Sequence, residues 1–217
     1  MKKRDSNSNF NTSCFKTAIF SGIYAGVSNK INIKKTKHYK SKKTQIIGLQ
    51  KEKIFKPLIN KIKKSTLDIS KNVFKISRPY TVDVVSLWLN IKAQNTDHPA
   101  HMHQNTFLSG VFFLENTKLP LCFLRPQSLP ILPIVDEYNE FNSNKLRYHG
   151  FKDSIVLFPS YLYHFISVNE DKKSRLTLAF DIILRGDYGE IQSDQTTVGQ
   201  YKIWTGLMFN YKEWYEK

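Results

Sequence analysis

Five short apolar segments between residues 81 and 184 constrain the fold of the chain more than any other feature. They are rich in valine, isoleucine, leucine and aromatic residues, the composition of β-strands. They lie at residues 81–92, 108–114, 121–125, 153–158 and 175–184. Several such strands joined by turns and loops favour a mainly β protein, either a barrel or a sandwich.

The segment 81–92 shows how such a strand would be placed. Side chains two apart on a strand share a face. One predicted face is apolar, and the other carries polar groups and a tryptophan. On this second face we interpret Trp88 as a core residue and Asn90 as a residue that could face a ligand. The apolar face consists of Val85, Leu87, Leu89 and Ile91; the other consists of Ser86, Trp88 and Asn90.

One helix precedes these strands. Apolar residues recur at helical spacing over residues 53–74, opposite a face rich in lysine, and Pro57 is tolerable only in the first turn of such a helix. A short strand is predicted within 17–25. Residues 126–150 contain three prolines and many polar residues, which predicts a long loop.

Charge is unevenly distributed along the 217 residues, whose net charge is +15. Residues 30–43 hold seven lysines and no acidic residue. Without arginines or an interleaved aromatic cluster, this pattern favours a solvated, flexible basic N-terminus; binding to nucleic acid is an alternative that the sequence does not favour. Two cysteines are too few for a disulfide framework, and no apolar run reaches the length of a membrane span, so we expect a cytoplasmic protein.

Three of the six histidines lie within residues 98–103. If this stretch is a strand, His101 and His103 project to the same side and could chelate a transition metal, for which imidazole is a suitable ligand. Surface histidines at a strand end are an alternative interpretation. His98 is interpreted as a loop residue; a residue that contacts the metal ligands without binding the metal is the alternative. His164, which follows another strand, is a candidate third ligand.

Arg175 and Thr177 share one face of the segment 175–184. A guanidinium beside a hydroxyl on an inward face suits a carboxylate, because the planar fork of arginine binds that anion through two hydrogen bonds. A surface salt bridge of Arg175 is the alternative.

In this order, the motifs resemble those of the Fe(II)- and 2-oxoglutarate-dependent oxygenases with a double-stranded β-helix, or jelly-roll, and in particular an uncharacterised phage and marine-bacterial branch. The resemblance covers about residues 50–190. It rests on Trp88-Leu89-Asn90, His101-Met102-His103, Ser109-Gly110-Val111-Phe112-Phe113, Phe158-Pro159-Ser160 with His164, Arg175-Leu176-Thr177 and Arg185-Gly186-Asp187-Tyr188-Gly189.

The resemblance implies an enzyme in which His101, His103 and His164 bind Fe(II). Arg175 and Thr177, with Asn90 as a further contact, would bind 2-oxoglutarate as cosubstrate. The partners would be O2 and an unknown organic or macromolecular substrate. The implied organisation is a basic segment at 1–45, the oxygenase domain at 46–190 and an aromatic tail at 191–217.

One departure from the broader superfamily concerns His103. Non-heme Fe(II) oxygenases commonly use two histidines and one carboxylate, whereas this chain has H-x-H where H-x-D or H-x-E is usual. Two alternatives therefore stay open: a three-histidine, cupin-type metal enzyme that needs no 2-oxoglutarate, and a non-catalytic jelly-roll that serves as a binding or structural module.

Overall fold

The computed structural model describes residues 17–31, 33, 45–76, 80–127, 134–139 and 142–186. Within these residues the chain forms two helices and ten strands, besides two short 3-10 turns. In chain order they are β1 (Phe20–Ile23), α1 (Val27–Lys30), β2 (Gln45–Ile46), α2 (Lys56–Asn72), β3 (Tyr80–Lys92), β4 (His98–His101), β5 (Leu108–Phe113), β6 (Leu121–Leu124), β7 (Lys145–Tyr148), β8 (Ser154–Pro159), β9 (His164–Ile166) and β10 (Arg175–Gly186).

The strands form two antiparallel sheets. The larger has the order β1-β8-β5-β10-β3-β2, and the smaller has the order β4-β9-β6-β7. The prediction of a mainly β jelly-roll with a preceding amphipathic helix is confirmed. Each of the five predicted strands is present, with ends that differ by one or two residues.

Two apolar clusters lie on opposite faces of the larger sheet. One packs that sheet against α2 and the segment before it, with Phe55, Leu58 and Ile62 fully buried. The other fills the space between the two sheets and includes Phe123 and Phe158. Pro57 lies in the first turn of α2 as predicted.

The N-terminal segment contributes to this packing. The short strand predicted within 17–25 is β1, which pairs with β8 at the edge of the larger sheet. Tyr24, Val27 and Ile31 are buried in the helix-side cluster. Most of the lysine-rich stretch and the whole tail 191–217 lie outside the described residues, so the domain boundaries stay predictions.

The predicted loop at 126–150 is partly wrong, because it contains β7, which pairs with β6. The side chains of β7 are mostly exposed, so the strand lacks the apolar alternation that identifies the others.

The predicted faces of β3 are correct beyond Val85 but not at it. Asp181 of β10 pairs with Ser86 and Ile182 pairs with Val84, so Val85 is an extra residue, a β-bulge. The bulge buries Val84 in place of Val85. The side chain of Gln50 bonds to the backbone here, donating to the carbonyl of Val85 at 2.8 Å and accepting from the N–H of Leu87 at 3.2 Å.

Candidate metal and 2-oxoglutarate site

The structure brings together the three histidines singled out from the sequence. His101 ends β4, His164 begins β9, and the two are paired across these strands. One ring nitrogen from each of His101, His103 and His164 can be chosen so that all three lie within 4.8 Å of one another. The ring centroids of His101 and His164 are 4.3 Å apart.

The reason for this convergence differs from the one predicted. Strand β4 ends at His101, so His103 lies beyond it and the two do not share a strand face. Instead, the backbone N–H of His103 donates to the carbonyl of Ser160 at 2.9 Å, and its side chain contacts Asp181 of β10. His103 is therefore held by residues of other parts of the fold, Ser160 and Asp181, and not by β4.

In each of the three histidines, Nδ1 lies at hydrogen-bond distance from an oxygen. The partners are the carbonyl of Pro99 for His101 at 2.9 Å, the carbonyl of Leu162 for His164 at 3.0 Å, and Oδ1 of Asp181 for His103 at 2.5 Å. A carbonyl oxygen can only accept, so Nδ1 donates in His101 and His164. This tautomer leaves Nε2 with its lone pair free, as in metal-binding histidines.

Burial keeps the imidazoles of His101 and His164 uncharged. It lowers the pKa of His164 to about 3, against a smaller opposing effect of the hydrogen bond to Leu162. Burial also lowers the pKa of His101. Since a metal binds only the neutral form, both are ready to bind at neutral pH.

Arg175 opens β10 and lines the same pocket as the histidines. It is buried, and its Nη1 donates to the hydroxyl of Thr177 at 3.4 Å. Among the described residues, its Nε and Nη2 have no hydrogen-bond partner. Its guanidinium carbon lies 5.3 Å from the centroid of the Phe113 ring. Burial lowers the pKa of Arg175 to about 10, partly offset by the charge of Glu115, so the side chain stays a cation.

Asn90 also lines the pocket and is the strand partner of Thr177. Its Oδ1 accepts a hydrogen bond from Nε2 of Gln45 at 2.9 Å. The predicted residues Asn90, Arg175 and Thr177 thus meet on adjacent strands.

The interpretation of His98 as a loop residue is wrong. His98 begins β4 and pairs with Ile166, and the pairing is irregular between His98 and His101. This irregularity brings the His98 ring to 4.5 Å from the His101 ring. Nζ of Lys92 lies 2.9 Å from Nδ1 of His98. Burial, with the nearby charge of Lys92, lowers the pKa of His98 to about 4.

The contact with Lys92 separates His98 from the other three histidines. A lysine ammonium can only donate, so Nδ1 of neutral His98 accepts and its Nε2 carries the proton. Neither nitrogen then has a lone pair free for a metal.

Trp88 was interpreted as a core residue, and this is only half of its role. It packs against the cluster between the sheets, and its ring also stacks on His103 with centroids 5.6 Å apart. Trp88 is thus both a core residue and a wall of the pocket.

Sequence reasoning missed Asp181, Ser109 and Lys92. Lys92 is buried and donates to the carbonyl of Asp97 at 2.9 Å. The signal for Asp181 was present, because an acidic residue inside the apolar segment 175–184 requires a partner when it is buried. No helix among the described residues is long and apolar enough to cross a membrane.

Comparisons with known proteins concern the family and the fold. Residues 86–181 match the sequence model of a family described as "Putative 2OG-Fe(II) oxygenase". No curated protein matches the sequence.

Several solved structures are similar to this chain. Two are crystal structures of HygX from Streptomyces hygroscopicus, one with iron bound and one with nickel and 2-oxoglutarate bound. They are 11% and 10% identical to this chain, each alignment covers 76% of this chain and 82% or 81% of HygX, and both TM-scores are 0.52. AviO1 from Streptomyces viridochromogenes Tue57 is 11% identical with a TM-score of 0.46, over 64% of this chain and 66% of its own length. The resemblance to 2OG-Fe(II) oxygenases predicted from the sequence is thus confirmed over residues 86–181, which match that family's model, and the phage and marine-bacterial branch stays a prediction.

Proposed function

We propose that this protein is an Fe(II)- and 2-oxoglutarate-dependent oxygenase in which His101, His103 and His164 bind the metal. Arg175, assisted by Thr177, binds the distal carboxylate of 2-oxoglutarate. The observation that carries the proposal is the buried guanidinium of Arg175, which has two unpartnered nitrogens, Nε and Nη2, in the pocket that the three histidines line. HygX, whose fold is similar, has been crystallised with nickel and 2-oxoglutarate bound.

The residues present fit both groups. Imidazole nitrogens are good ligands for Fe(II), and the Nδ1 contacts of His101 and His164 direct the free lone pair to Nε2. The pocket also holds two buried cations, Arg175 and Lys92, and Nζ of Lys92 already has partners in Asp97 and His98. Among the described residues, Arg175 is the cation with whole nitrogens, Nε and Nη2, that lack a partner, and these suit a carboxylate.

With Fe(II) and 2-oxoglutarate bound, the site would supply the activation of O2, coupled to decarboxylation of the oxoacid to succinate and oxidation of a substrate. The chain's own contribution is to hold its groups in place. Hydrogen bonds at Nδ1 fix the orientation of the imidazoles, and Arg175 provides a preformed positive charge for the oxoacid. Apolar residues such as Phe158 and Trp88 line the pocket and limit the access of water.

The test is anaerobic reconstitution with Fe(II) followed by 2-oxoglutarate, with detection of the visible charge-transfer band and then of succinate released in air. We expect His101→Ala, His103→Ala and His164→Ala each to lose iron to a chelator that the unmodified protein withstands. His98→Ala is the matched control and should keep iron, because neither ring nitrogen of His98 is free to bind it. Full iron content in His103→Ala together with loss in His98→Ala would contradict the ligand assignment.

The all-histidine ligand set favours one other candidate, a cupin-type enzyme that needs no oxoacid. The two are separated by titrating 2-oxoglutarate into the Fe(II)-loaded protein. Saturable binding that depends on Arg175 supports the proposal; turnover in air without any oxoacid supports the alternative.

A further inference from the structure

Asp181 is a carboxylate within an otherwise apolar strand. It lies in β10 between Phe180 and Ile182, both fully buried, and its own side chain is 14% exposed. On the neighbouring strands it is paired with Ser109 of β5 and with Ser86 of β3, beside the bulge. A carboxylate in such a place is costly unless it is hydrogen-bonded and its charge is balanced.

Both hydrogen bonds of Asp181 use the same oxygen, Oδ1. It contacts Nδ1 of His103 at 2.5 Å and accepts from the hydroxyl of Ser109 at 2.7 Å. Among the described residues, His103 is its one ion-pair partner; Lys63 and Arg185 instead pair with Asp83, at the other end of β3. The negative charge of Asp181 is therefore directed toward the three-histidine cluster.

A carboxylate at this position matters because the ligand set has none. Three neutral imidazoles leave a divalent ion with its full charge, whereas two imidazoles and a carboxylate reduce that charge by one. A carboxylate that accepts the N–H of a ligating imidazole fixes the ring and makes its other nitrogen a stronger donor.

We propose that Asp181 is a positioning residue that acts through His103. It holds the ring with Nε2 toward His101 and His164, and it supplies, from outside the ligand set, the negative charge that a carboxylate ligand supplies in related sites. This inference rests on the proposed function, since it requires that His103 bind the metal.

The first test is Asp181→Asn, which removes the charge but keeps an oxygen that can accept from Nδ1 of His103. Affinity for Fe(II), and for Co(II) as a redox-stable probe, is measured by competition with a chelator under anaerobic conditions. We expect a loss of about 10- to 100-fold, the usual effect of removing such a partner. Ser109→Ala keeps the charge and should lose less. Asp83→Asn, which neutralises a carboxylate distant from the histidines, is the control and should leave metal affinity unchanged.

The decisive comparison combines Asp181→Asn with His103→Asp. His103→Asp places a carboxylate in the ligand set and removes the imidazole through which Asp181 acts. In that background Asp181→Asn should change metal affinity by less than a few-fold, whereas in the unmodified background it should lower it about 10- to 100-fold. A purely structural role of Asp181 predicts the same loss in both backgrounds, and that result would overturn the inference. If Asp181→Asn alone does not fold, a loss of about 10-fold or more between His103→Asp and the double variant overturns the inference in the same way.

Failure of this inference is distinguishable from failure of the proposed function. If the unmodified protein binds neither Fe(II) nor Co(II), the proposed function is wrong, and the inference with it. If the unmodified protein binds both ions and Asp181→Asn binds them equally well, only the role of Asp181 is wrong.

Discussion

Replacing Arg175 by methionine should change ligand binding and protein stability in opposite directions. The methionine keeps an unbranched side chain against Phe113 but removes the guanidinium. Hydrogen bonds to charged groups contribute about 1.5–3 kcal/mol. Taking that range for the joint contribution of the two vacant donors to one carboxylate, 2-oxoglutarate affinity should fall about 10- to 150-fold.

Without ligand, the same guanidinium lowers the stability of the folded protein. Its Nε and Nη2 are buried without partners, and one unsatisfied buried group costs about 1–3 kcal/mol. Ligand-free Arg175→Met should therefore unfold at a higher temperature, by about 2–8 °C for a domain of this size. Calorimetric titration of 2-oxoglutarate into anaerobic Fe(II)-loaded protein gives the affinity, and thermal unfolding of the metal-free protein gives the stability.

Lys92→Met is the matched control. It removes a buried positive charge from the same pocket, but two of the three N–H donors of that lysine already have partners in Asp97 and His98. We expect this variant to weaken 2-oxoglutarate binding less than Arg175→Met and to destabilise the protein. Equal losses of affinity would mean that overall charge, and not the vacant donors, governs binding. An unchanged affinity in Arg175→Met would refute the assignment of Arg175.

Three further predictions follow from burial and packing. The pKa of His164 is about 3 in the folded protein and about 6.5 when unfolded, so only the unfolded state gains this proton as the pH falls below 6.5. The metal-free protein should lose about 2–3 kcal/mol of stability from this residue between pH 6.5 and 4.5. Urea unfolding across that range would show the loss. An equal loss of unfolding free energy with falling pH in His164→Gln would contradict it. A β-carbon at Gly110 would lie 2.4 Å from Cζ of Phe180 and 2.7 Å from the carbonyl oxygen of Val156. Gly110→Ala should therefore lower the free energy of unfolding by about 1–3 kcal/mol. Urea unfolding measures this, and an unchanged midpoint would refute it. Deleting residues 1–16 should leave metal and 2-oxoglutarate affinity intact, and any binding of the full chain to DNA should collapse as salt is raised; tight binding at physiological salt would overturn this view.

The strands that the sequence predicts are those whose side chains pack on a core. Segments such as 108–114 and 153–158 are long, apolar and buried in the larger sheet, so their composition reflects their position. The strands that were not predicted outright, β2, β4, β7 and β9, each have four residues or fewer, and three of them, β2, β4 and β7, lie at sheet edges. Pro99 in β4 further weakens its strand pattern. Edge strands gain stability from pairing, which a single sequence does not display.

The residues of the site likewise divide into those that the sequence predicts and those that depend on tertiary contacts. Arg175, Thr177 and Asn90 lie on long predicted strands, so their shared face followed from alternation. The position of His103 depends on Asp181, which is 78 residues away in the sequence. The approach of His98 depends on an irregular pairing in β4. Contacts of this kind arise from the tertiary arrangement and have no local pattern.

The bulge at Val85 fixes the permitted length of β3. On one side of it the buried residues have even numbers, Val82 and Val84; on the other they have odd numbers, Leu87 and Leu89. Loss of Val85 would force the chain either to turn Val82 and Val84 away from the helix or to turn Trp88 and Asn90 out of the pocket. Insertion or deletion of two residues in this strand should therefore leave the fold intact, whereas insertion or deletion of one residue should disrupt it. The side chain of Gln50 donates to the carbonyl of Val85 and accepts from the N–H of Leu87, so deletion of Val85 would also remove these two hydrogen bonds.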